Sequence, residues 1–170
     1  HENRDGESLH READNGSVFT LAIVPVEDSA DPRLALYRGV ADPSLARSAG
    51  VFVAEGRLVV ARVLADRRFR VRSVLVNGAA LSASAGSLER MSGETPVFVL
   101  PSDRFPAATG FNFHRGCLAV VERPVDRELC DCVSGGTRIV VLEGVTNADN
   151  VGGVFRNAAA FGVDAVVLDP

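Results

Sequence analysis

The sequence predicts an α/β protein with a mainly parallel sheet and helices on both faces. Short apolar runs alternate with segments of helical periodicity from Val51 onward, and this alternation is typical of βαβ units. Two helix starts are marked by Asp31-Pro32 and Asp42-Pro43, each an N-cap residue followed by a proline suited to the first helical turn. Hydrophobic residues make up 46% and aromatic residues 6% of the chain, so the expected core consists mainly of Val, Leu and Ala.

A first domain is predicted over residues 28–123, after a disordered leader and extended arm at 1–27. The opening residues are polar without periodicity, as in disordered segments, and the apolar segment 19–27 is interrupted by Pro25, which favours an edge strand or an arm. Within the domain we expect strands at 51–54, 71–76, 96–100 and 117–122. We expect helices after Asp31 and Asp42 and at 55–67, 79–91 and 101–110, with Asn77-Gly78 forming a turn.

Residues 124–136 are predicted to link two domains. They hold Pro124, several charges and a Ser-Gly-Gly stretch, with a helical turn expected near 126–132. The segment 137–170 then predicts one βαβ unit, with strands at 137–143 and 163–169 and a right-handed crossover. Two parallel strands and one helix cannot cover both faces of a sheet, although parallel strands are normally buried on both. The second domain is therefore expected to be incomplete, either because the sequence is a fragment or because a partner supplies the missing layer.

Charge and hydropathy exclude several classes of function. The formal net charge is −4 and every cationic side chain other than histidine is an arginine, so the protein is not a polycation that binds nucleic acid indiscriminately. No apolar run approaches the ~18 residues of a membrane span, and the first residues are too charged for a secretory signal. A soluble, cytoplasmic protein is expected.

Cysteine usage predicts reduced structural thiols. The chain has 3 Cys, an odd number that argues against a disulfide framework. Cys130 and Cys132, with Cys117 and His114 upstream, lack a second ligand pair at metal-binding spacing. We therefore expect neither a disulfide nor a metal site.

The segment 145–169 carries much polar and glycine-rich sequence at the approach to a helix. Asn147, Asp149 and Asn150 are residue types that cap helix N-termini. Gly152 and Gly153 follow, and each costs about 1 kcal/mol relative to Ala inside a helix. Such a cost indicates close backbone packing or a ligand that approaches the backbone.

Arg156 follows on the second turn of the same predicted helix, from where its side chain can reach back toward the helix start. The helix N-terminus itself suits a phosphate or another anion. A well-capped helix with close helix–strand packing and an exposed Arg explains the same residues equally well. A Rossmann dinucleotide site fits poorly, because Gly144, Gly152 and Gly153 do not form G-x-G-x-x-G.

The stretch NADNVGGVFRNAAAFGVDAVVL resembles the first conserved motif of the SpoU (TrmH-type) RNA ribose methyltransferases, in the SPOUT superfamily. That motif reads roughly N-x-x-N-x-G-x-x-x-R-x-A, followed by a Gly-closed helix and a strand. The matching positions are Asn147, Asn150, Gly152, Arg156, Ala158 and Gly162. The upstream segments DPRLALYR, FVAEGRLVVARVL, VRSVLV and TGFNFHRGCLAVVERP resemble the family's RNA-binding domain, so the resemblance covers roughly residues 28–170.

The resemblance implies an enzyme that transfers a methyl group from S-adenosylmethionine to a ribose 2′-hydroxyl of rRNA or tRNA, and that acts as a homodimer. It implies an N-terminal ribosomal-protein-like α/β/α domain that binds the RNA, followed by the start of a SPOUT methyltransferase domain with a parallel sheet and a C-terminal trefoil knot. The second and third motifs of the family, which form most of the cofactor pocket, are expected beyond Pro170.

By the same resemblance, Arg156 and Asn150 are the catalytic candidates. Arg156 is expected at the reacting hydroxyl and the adjacent phosphate, where it stabilises the developing oxyanion, because a guanidinium with a pKa above ~12 is a poor base. Asn150 is expected to fix Arg156 or the loop. Asn147 is expected to cap the helix, and Gly152 to let the backbone approach the ligand.

Two segments are candidate RNA-binding elements. Arg68, Arg70 and Arg72 lie on one face if their segment is extended, either as a stripe for RNA phosphates or as the solvated face of an edge strand. His114 and Arg115 lie in an aromatic-rich loop, suited to stacking on RNA bases or to a turn that places a Phe in the core.

Two other functions stay open on the sequence alone. One is a non-catalytic RNA-binding module of the ribosomal-protein-like kind, and the other is a nucleotide-binding α/β protein that uses helix amides for phosphate. Glu55-Gly56, which also matches an element of the family, is expected mainly to start a helix rather than to supply a catalytic acid.

Overall fold

The structure is a computed structural model that describes residues 21–40, 42–91, 93–110, 116–125 and 128–169. The chain divides into two compact units between Pro124 and Val125. Within the described residues, no helix is both long and apolar enough to span a membrane.

The first unit contains a five-stranded sheet in the order β1-β4-β3-β5-β2. Its strands are β1 (Ala22–Pro25), β2 (Val51–Glu55), β3 (Val71–Val76), β4 (Pro96–Val99) and β5 (Cys117–Glu122). β4 pairs in parallel with β1 and β3, whereas β5 pairs antiparallel with both β3 and β2. All strands except β5 therefore share one direction, so the predicted mainly parallel sheet is a mixed sheet with one reversed internal strand.

Helices cover both faces of this sheet, as predicted. The helices are a 3₁₀ helix (Pro32–Val40), α1 (Pro43–Ser48), α2 (Arg57–Ala65), α3 (Gly78–Leu88), a 3₁₀ turn (Ser102–Arg104) and α4 (Phe105–Thr109). One core cluster places Leu34 and Phe105 against Leu118. The cluster on the other face packs Val60 of α2 and Ala80 of α3 on the sheet.

The structure differs from the sequence-based expectations at three places in the first unit. β1 belongs to the sheet, with Ala22 paired to Pro96, so the first unit begins before the predicted boundary at residue 28. The segment after Asp31 is a 3₁₀ helix rather than an α-helix. The predicted turn at Asn77-Gly78 is wrong: Asn77 is the N-cap of α3 and its side chain accepts a hydrogen bond from Ala80 N–H at 2.7 Å.

The second unit begins inside the predicted linker and contains a single βαβ unit. Its elements are α5 (Leu129–Val133), β6 (Ile139–Leu142), α6 (Ala148–Ala160) and β7 (Ala165–Leu168). β6 and β7 are parallel neighbours, with Ile139 paired to Ala165. Leu142 and Ala158 are buried, whereas Ile139 and Val141 on the other face of β6 are 41% and 67% exposed. One face of this sheet is thus uncovered among the described residues, as a lone βαβ unit requires.

Candidate active site

The start of α6 is fixed by the cap that the sequence predicts. Asn147 has an extended backbone and its Oδ1 accepts a hydrogen bond from Asn150 N–H at 3.0 Å, which satisfies one of the unpaired amides of the first turn. The helix begins at Ala148, so Asp149 and Asn150 lie within its first turn instead of preceding it. The carboxylate of Asp149 there is favourable for the helix dipole.

Gly152 and Gly153 consequently occupy the second turn of α6. Neither glycine has a positive φ angle, so the backbone conformation does not require glycine. An ideal Cβ at Gly152 would meet no described atom closer than Arg156 Nη1 at 3.5 Å, and one at Gly153 would meet Arg156 Nη2 at 3.9 Å. These are ordinary contacts, so packing within the described chain does not require glycine either, and the pair leaves backbone open toward the arginine.

Arg156 lies in the third turn, not the second, and its guanidinium folds back over the glycine pair. The contact geometry above follows from the direction of helical side chains, which point toward the helix N-terminus. Arg156 is exposed, and among the described residues it has no ion pair or hydrogen-bonding partner. Its five N–H donors are therefore free for a phosphate or a developing oxyanion. No hydrogen bond joins it to Asn150, which leaves the predicted role of Asn150 as a prediction.

The loop that leads into α6 is tied to the end of β7. Gly144 has a φ of +66°, a left-handed conformation that favours glycine. Its N–H donates to Asp169 Oδ2 at 2.8 Å, and the N–H of Asp169 donates to the Leu142 carbonyl at 3.2 Å. From the sequence, Asp169 is expected only as the last residue of a strand. The contact could have been suspected from the sequence, because an acidic residue follows one parallel strand and a glycine follows the strand paired with it.

The three arginines predicted as an RNA-binding stripe or as the solvated face of an edge strand do not lie on one face of a strand. β3 begins at Val71 and is bulged between Val71 and Ser73, so Arg68 and Arg70 precede it and the expected alternation is broken. Arg68 binds Asp66 through Nε at 3.0 Å and Nη2 at 2.6 Å. Arg72 Nε donates to Glu122 at 3.1 Å, and Arg70 lies 3.9 Å from the same carboxylate.

Two carboxylates, those of Asp66 and Glu122, offset part of the positive charge of these three arginines. The pairing with Arg68 lowers the pKa of Asp66 to about 2. Arg70, Arg72 and Glu122 line an open cavity of about 510 Å³ together with Arg90 and Glu94. Arg90 follows the C-terminus of α3, and the carbonyl end of a helix disfavours an anion.

A second open cavity of about 540 Å³ has different electrostatics. It lies where β2 and β3 end and α2 and α3 begin, and its lining includes Glu55, Gly56, Arg57, Leu58 and Asn77. Gly56 is the N-cap of α2, with φ +88° and no side-chain cap, which confirms that Glu55-Gly56 starts a helix. Helix N-termini favour anions, and Leu58 adds an apolar side chain that is 84% exposed.

His114 and Arg115 lie outside the described residues, but the glycine that follows them is part of a close contact. Gly116 has a φ of +57°, and a Cβ there would collide with the Asn77 side chain. Backbone hydrogen bonds join Asn77 N–H to the Gly116 carbonyl at 3.0 Å and Gly56 N–H to the Cys117 carbonyl at 2.9 Å. The residues on the carboxyl side of the predicted RNA-binding loop are thus fixed beside the second cavity.

The cysteine thiols are not assigned to either cavity. All three are free, with Cys117 buried and Cys130 exposed. Burial raises the pKa of the Cys117 thiol to about 11, which suppresses the thiolate at neutral pH. Among the described residues, no three His, Cys, Asp or Glu side chains are grouped as metal ligands.

Comparison with known proteins adds relatives in sequence and in fold. The chain is 34% identical over 152 residues to uncharacterized tRNA/rRNA methyltransferases of Mycobacterium bovis and Mycobacterium tuberculosis, a match that covers 87% of the chain and 52% of each relative. The chain therefore spans about half the length of the curated relatives it matches. No protein-family profile matches the chain.

Three solved structures share the fold. One is of an RNA 2′-O ribose methyltransferase (TM-score 0.61, 18% identity, 86% of this chain and 56% of that one). A second is of an AdoMet-bound rRNA methyltransferase from Sinorhizobium meliloti (TM-score 0.66, 17% identity, 86% and 54%). A third is of an RNA methyltransferase assigned to the TrmH family, from Porphyromonas gingivalis (TM-score 0.63, 22% identity, 82% and 51%). The chain is thus similar in sequence to proteins named tRNA/rRNA methyltransferases and shares the fold of RNA methyltransferases of known structure, in agreement with the resemblance found from the motif.

Proposed function

We propose that this chain works in an RNA 2′-O-methyltransferase that modifies a ribose of rRNA or tRNA. The observation that carries the proposal is the unpaired, exposed guanidinium of Arg156 folded over Gly152 and Gly153 on a capped helix. It occurs in a chain that is 34% identical over 152 residues to proteins named tRNA/rRNA methyltransferases. Because the chain spans about half of those relatives, the activity of the whole protein is part of the proposal.

The proposed reaction requires charge stabilisation at a ribose oxygen. In the complete enzyme, S-adenosylmethionine would supply the methyl group to the 2′-oxygen, and the hydroxyl proton would pass to water. Arg156 does not take that proton, because a guanidinium stays protonated. It donates hydrogen bonds to the oxygen as negative charge develops and to the adjacent phosphate, which orients the ribose.

The described residues do not by themselves fit a pocket that would enclose S-adenosylmethionine. Loop residues 143–147 between β6 and α6 are exposed except for the partly buried Val145, so they supply at most one wall. The two cavities described above are lined entirely by residues of the first unit. S-adenosylmethionine is proposed as the cofactor from the family relationship, and no residue is assigned to it.

We propose that the first unit, a ribosomal-protein-like domain, binds the RNA. Of its two cavities, the one beside Arg57 suits a phosphate better, because the first turns of α2 and α3 present backbone amides there and an anion is favourable at such a position. Near the other cavity, Arg70 and Arg72 share the one carboxylate of Glu122. A homodimer acting in the cytoplasm is the proposed state of the complete enzyme.

The test is transfer of a tritiated methyl group from S-adenosylmethionine to unmodified rRNA and tRNA transcripts. Arg156→Ala is expected to abolish transfer, a loss of about 10²-fold or more, while the RNA dissociation constant changes little. Arg62→Ala, which removes an exposed arginine from α2, is the matched control and should retain activity. Near-normal turnover by Arg156→Ala would remove Arg156 from the site.

A second candidate, a non-catalytic RNA-binding module, is favoured by one observation: the first unit alone holds the two described cavities and most of the described arginines. Calorimetry separates the two functions. Heat from S-adenosylmethionine binding supports the enzyme, whereas salt-dependent RNA binding without cofactor heat supports the module.

A further inference from the structure

Strand β7 is flanked by two aspartates that bind the segments on either side of β6. At its amino end, Asp164 Oδ2 accepts hydrogen bonds from Thr137 N–H and Arg138 N–H, both at 2.9 Å. At its carboxyl end, Asp169 Oδ2 accepts from Gly144 N–H at 2.8 Å. The two contacts have the same chemistry, a carboxylate bound to backbone amides, but they lie at opposite ends of a two-stranded parallel sheet.

The contact of Asp169 lies at the end of the sheet from which α6 departs. Gly144 opens the connection with a φ of +66°, and three residues later Asn147 caps the helix through its bond to Asn150 N–H. The connecting residues are mostly exposed, so packing restrains them little. Among the described side chains, the Asp169 carboxylate ties the connection between β6 and α6 to the end of β7. Hydrogen bonds to an ionised carboxylate are stronger than those between neutral groups.

We propose that Asp169 is a positioning residue for the methyl-transfer site. By holding Gly144 N–H, its carboxylate fixes the path of the connection, and therefore the first turns of α6 that carry Gly152 and Arg156. This inference rests on the function proposed above. A displacement of about 1 Å in a reacting group can cost about 10²-fold in rate, so a flexible connection is expected to lower turnover without abolishing RNA binding.

Asp164 provides a matched control within the same strand. Its carboxylate restrains the start of β6, at the edge of the sheet where α6 ends: Arg138, which it binds through the backbone, also donates from Nη1 to the Phe161 carbonyl at 2.9 Å. Loss of this contact should loosen the sheet at that edge while leaving the connection at Gly144 in place.

The experiment compares Asp169→Ala, Asp169→Asn and Asp164→Ala in the complete chain. Amide hydrogen exchange is measured by NMR at Gly144 and Asn150, and kcat and KM are measured with unmodified rRNA and tRNA transcripts. Asp169→Ala should speed exchange at Gly144 about tenfold and lower kcat about ten- to 100-fold with an unchanged KM for RNA. Asp169→Asn, whose amide oxygen still accepts a hydrogen bond, should restore most of both quantities.

Asp164→Ala should speed exchange at Thr137 and Arg138 and leave kcat within about twofold, at a temperature where both variants are folded. Unchanged exchange at Gly144 and Asn150 in Asp169→Ala would overturn the inference, as would an equal loss of kcat in Asp164→Ala. If the wild-type chain shows no methyl transfer, the proposed function fails, and the exchange data still decide whether Asp169 fixes the connection.

Discussion

Replacing Gly152 with alanine should make α6 more stable and lower the proposed methyl transfer. Gly152 lies inside the helix without a positive φ, so Ala fits the backbone and gains about 1 kcal/mol of helix propensity. The new Cβ would lie 3.5 Å from Arg156 Nη1, which is contact without collision. The cost therefore falls on function: the methyl group covers the backbone surface over which the guanidinium and a ligand would approach.

Hydrogen exchange is the suitable assay for the stability of α6. The chain has no Trp and one Tyr, Tyr37 in the first unit, so intrinsic fluorescence does not report on this helix. A gain of about 1 kcal/mol should slow exchange of the Ala158 amide about fivefold, while methyl transfer falls about tenfold or more. Gly86→Ala in α3, where the Cβ meets nothing within 4 Å, should stabilise its helix and leave methyl transfer unchanged. Faster exchange at Ala158, or full activity in Gly152→Ala, would refute the reasoning.

Three further predictions follow from contacts in the structure. In thermal denaturation, Gly116→Ala should destabilise the first unit by more than Gly50→Ala. Both glycines have a left-handed φ, but only a Cβ at position 116 would also collide with a side chain. Each variant should lose at least about 1 kcal/mol of unfolding free energy. Backbone hydrogen bonds from Arg138 and then Thr137 lower the pKa of Asp164. The ionised Asp164 carboxylate therefore stabilises β6 and β7 fully above about pH 4, and this stabilisation is lost as the pH falls through the lowered pKa. Hydrogen exchange of the β6 and β7 amides should show the loss in the wild type but not in Asp164→Asn. Arg57→Ala should reduce the salt dependence of RNA binding by about one phosphate contact. Arg68→Ala, which removes an arginine already bound to Asp66, should leave the salt dependence unchanged. Equal effects of the two substitutions would place the RNA elsewhere.

Sequence patterns predicted most elements of the fold but not the direction of β5. Residues 117–121 are buried on both faces of the sheet, and a strand buried in this way is continuously apolar in either orientation. The direction of β5 depends on the end of the sheet at which the chain re-enters it after α4. Periodicity contains no information about that path.

Local polar residues were predictable in type but not always in role. Asn77-Gly78 is a frequent turn pair, yet the same asparagine serves as an N-cap when a helix follows, and packing of Ala80 and Leu88 on the sheet favours the helix. At α6, the cap and the backward reach of Arg156 follow from residue types and spacing. The bond between Asp169 and Gly144 joins residues 25 positions apart, and their proximity depends on the register of β6 and β7.

The spacing of the three arginines did not predict their ion-pair partners. Alternation places Arg68, Arg70 and Arg72 on one face only in an extended strand, and the bulge at the start of β3 interrupts that pattern. Their partners are Asp66 and Glu122. Glu122 is distant in sequence, so its pairing with Arg70 and Arg72 could not be deduced from the arginines alone.

The central claim is that this chain serves methyl transfer to a ribose oxygen, and nucleoside analysis of the RNA product tests it most directly. Unmodified rRNA and tRNA transcripts are incubated with the protein and S-adenosylmethionine, digested to nucleosides and examined by mass spectrometry. The account predicts a 2′-O-methylnucleoside that appears with the wild type and is missing with Arg156→Ala. A methyl group on a base, or the same 2′-O-methylnucleoside in equal yield from Arg156→Ala, would contradict it.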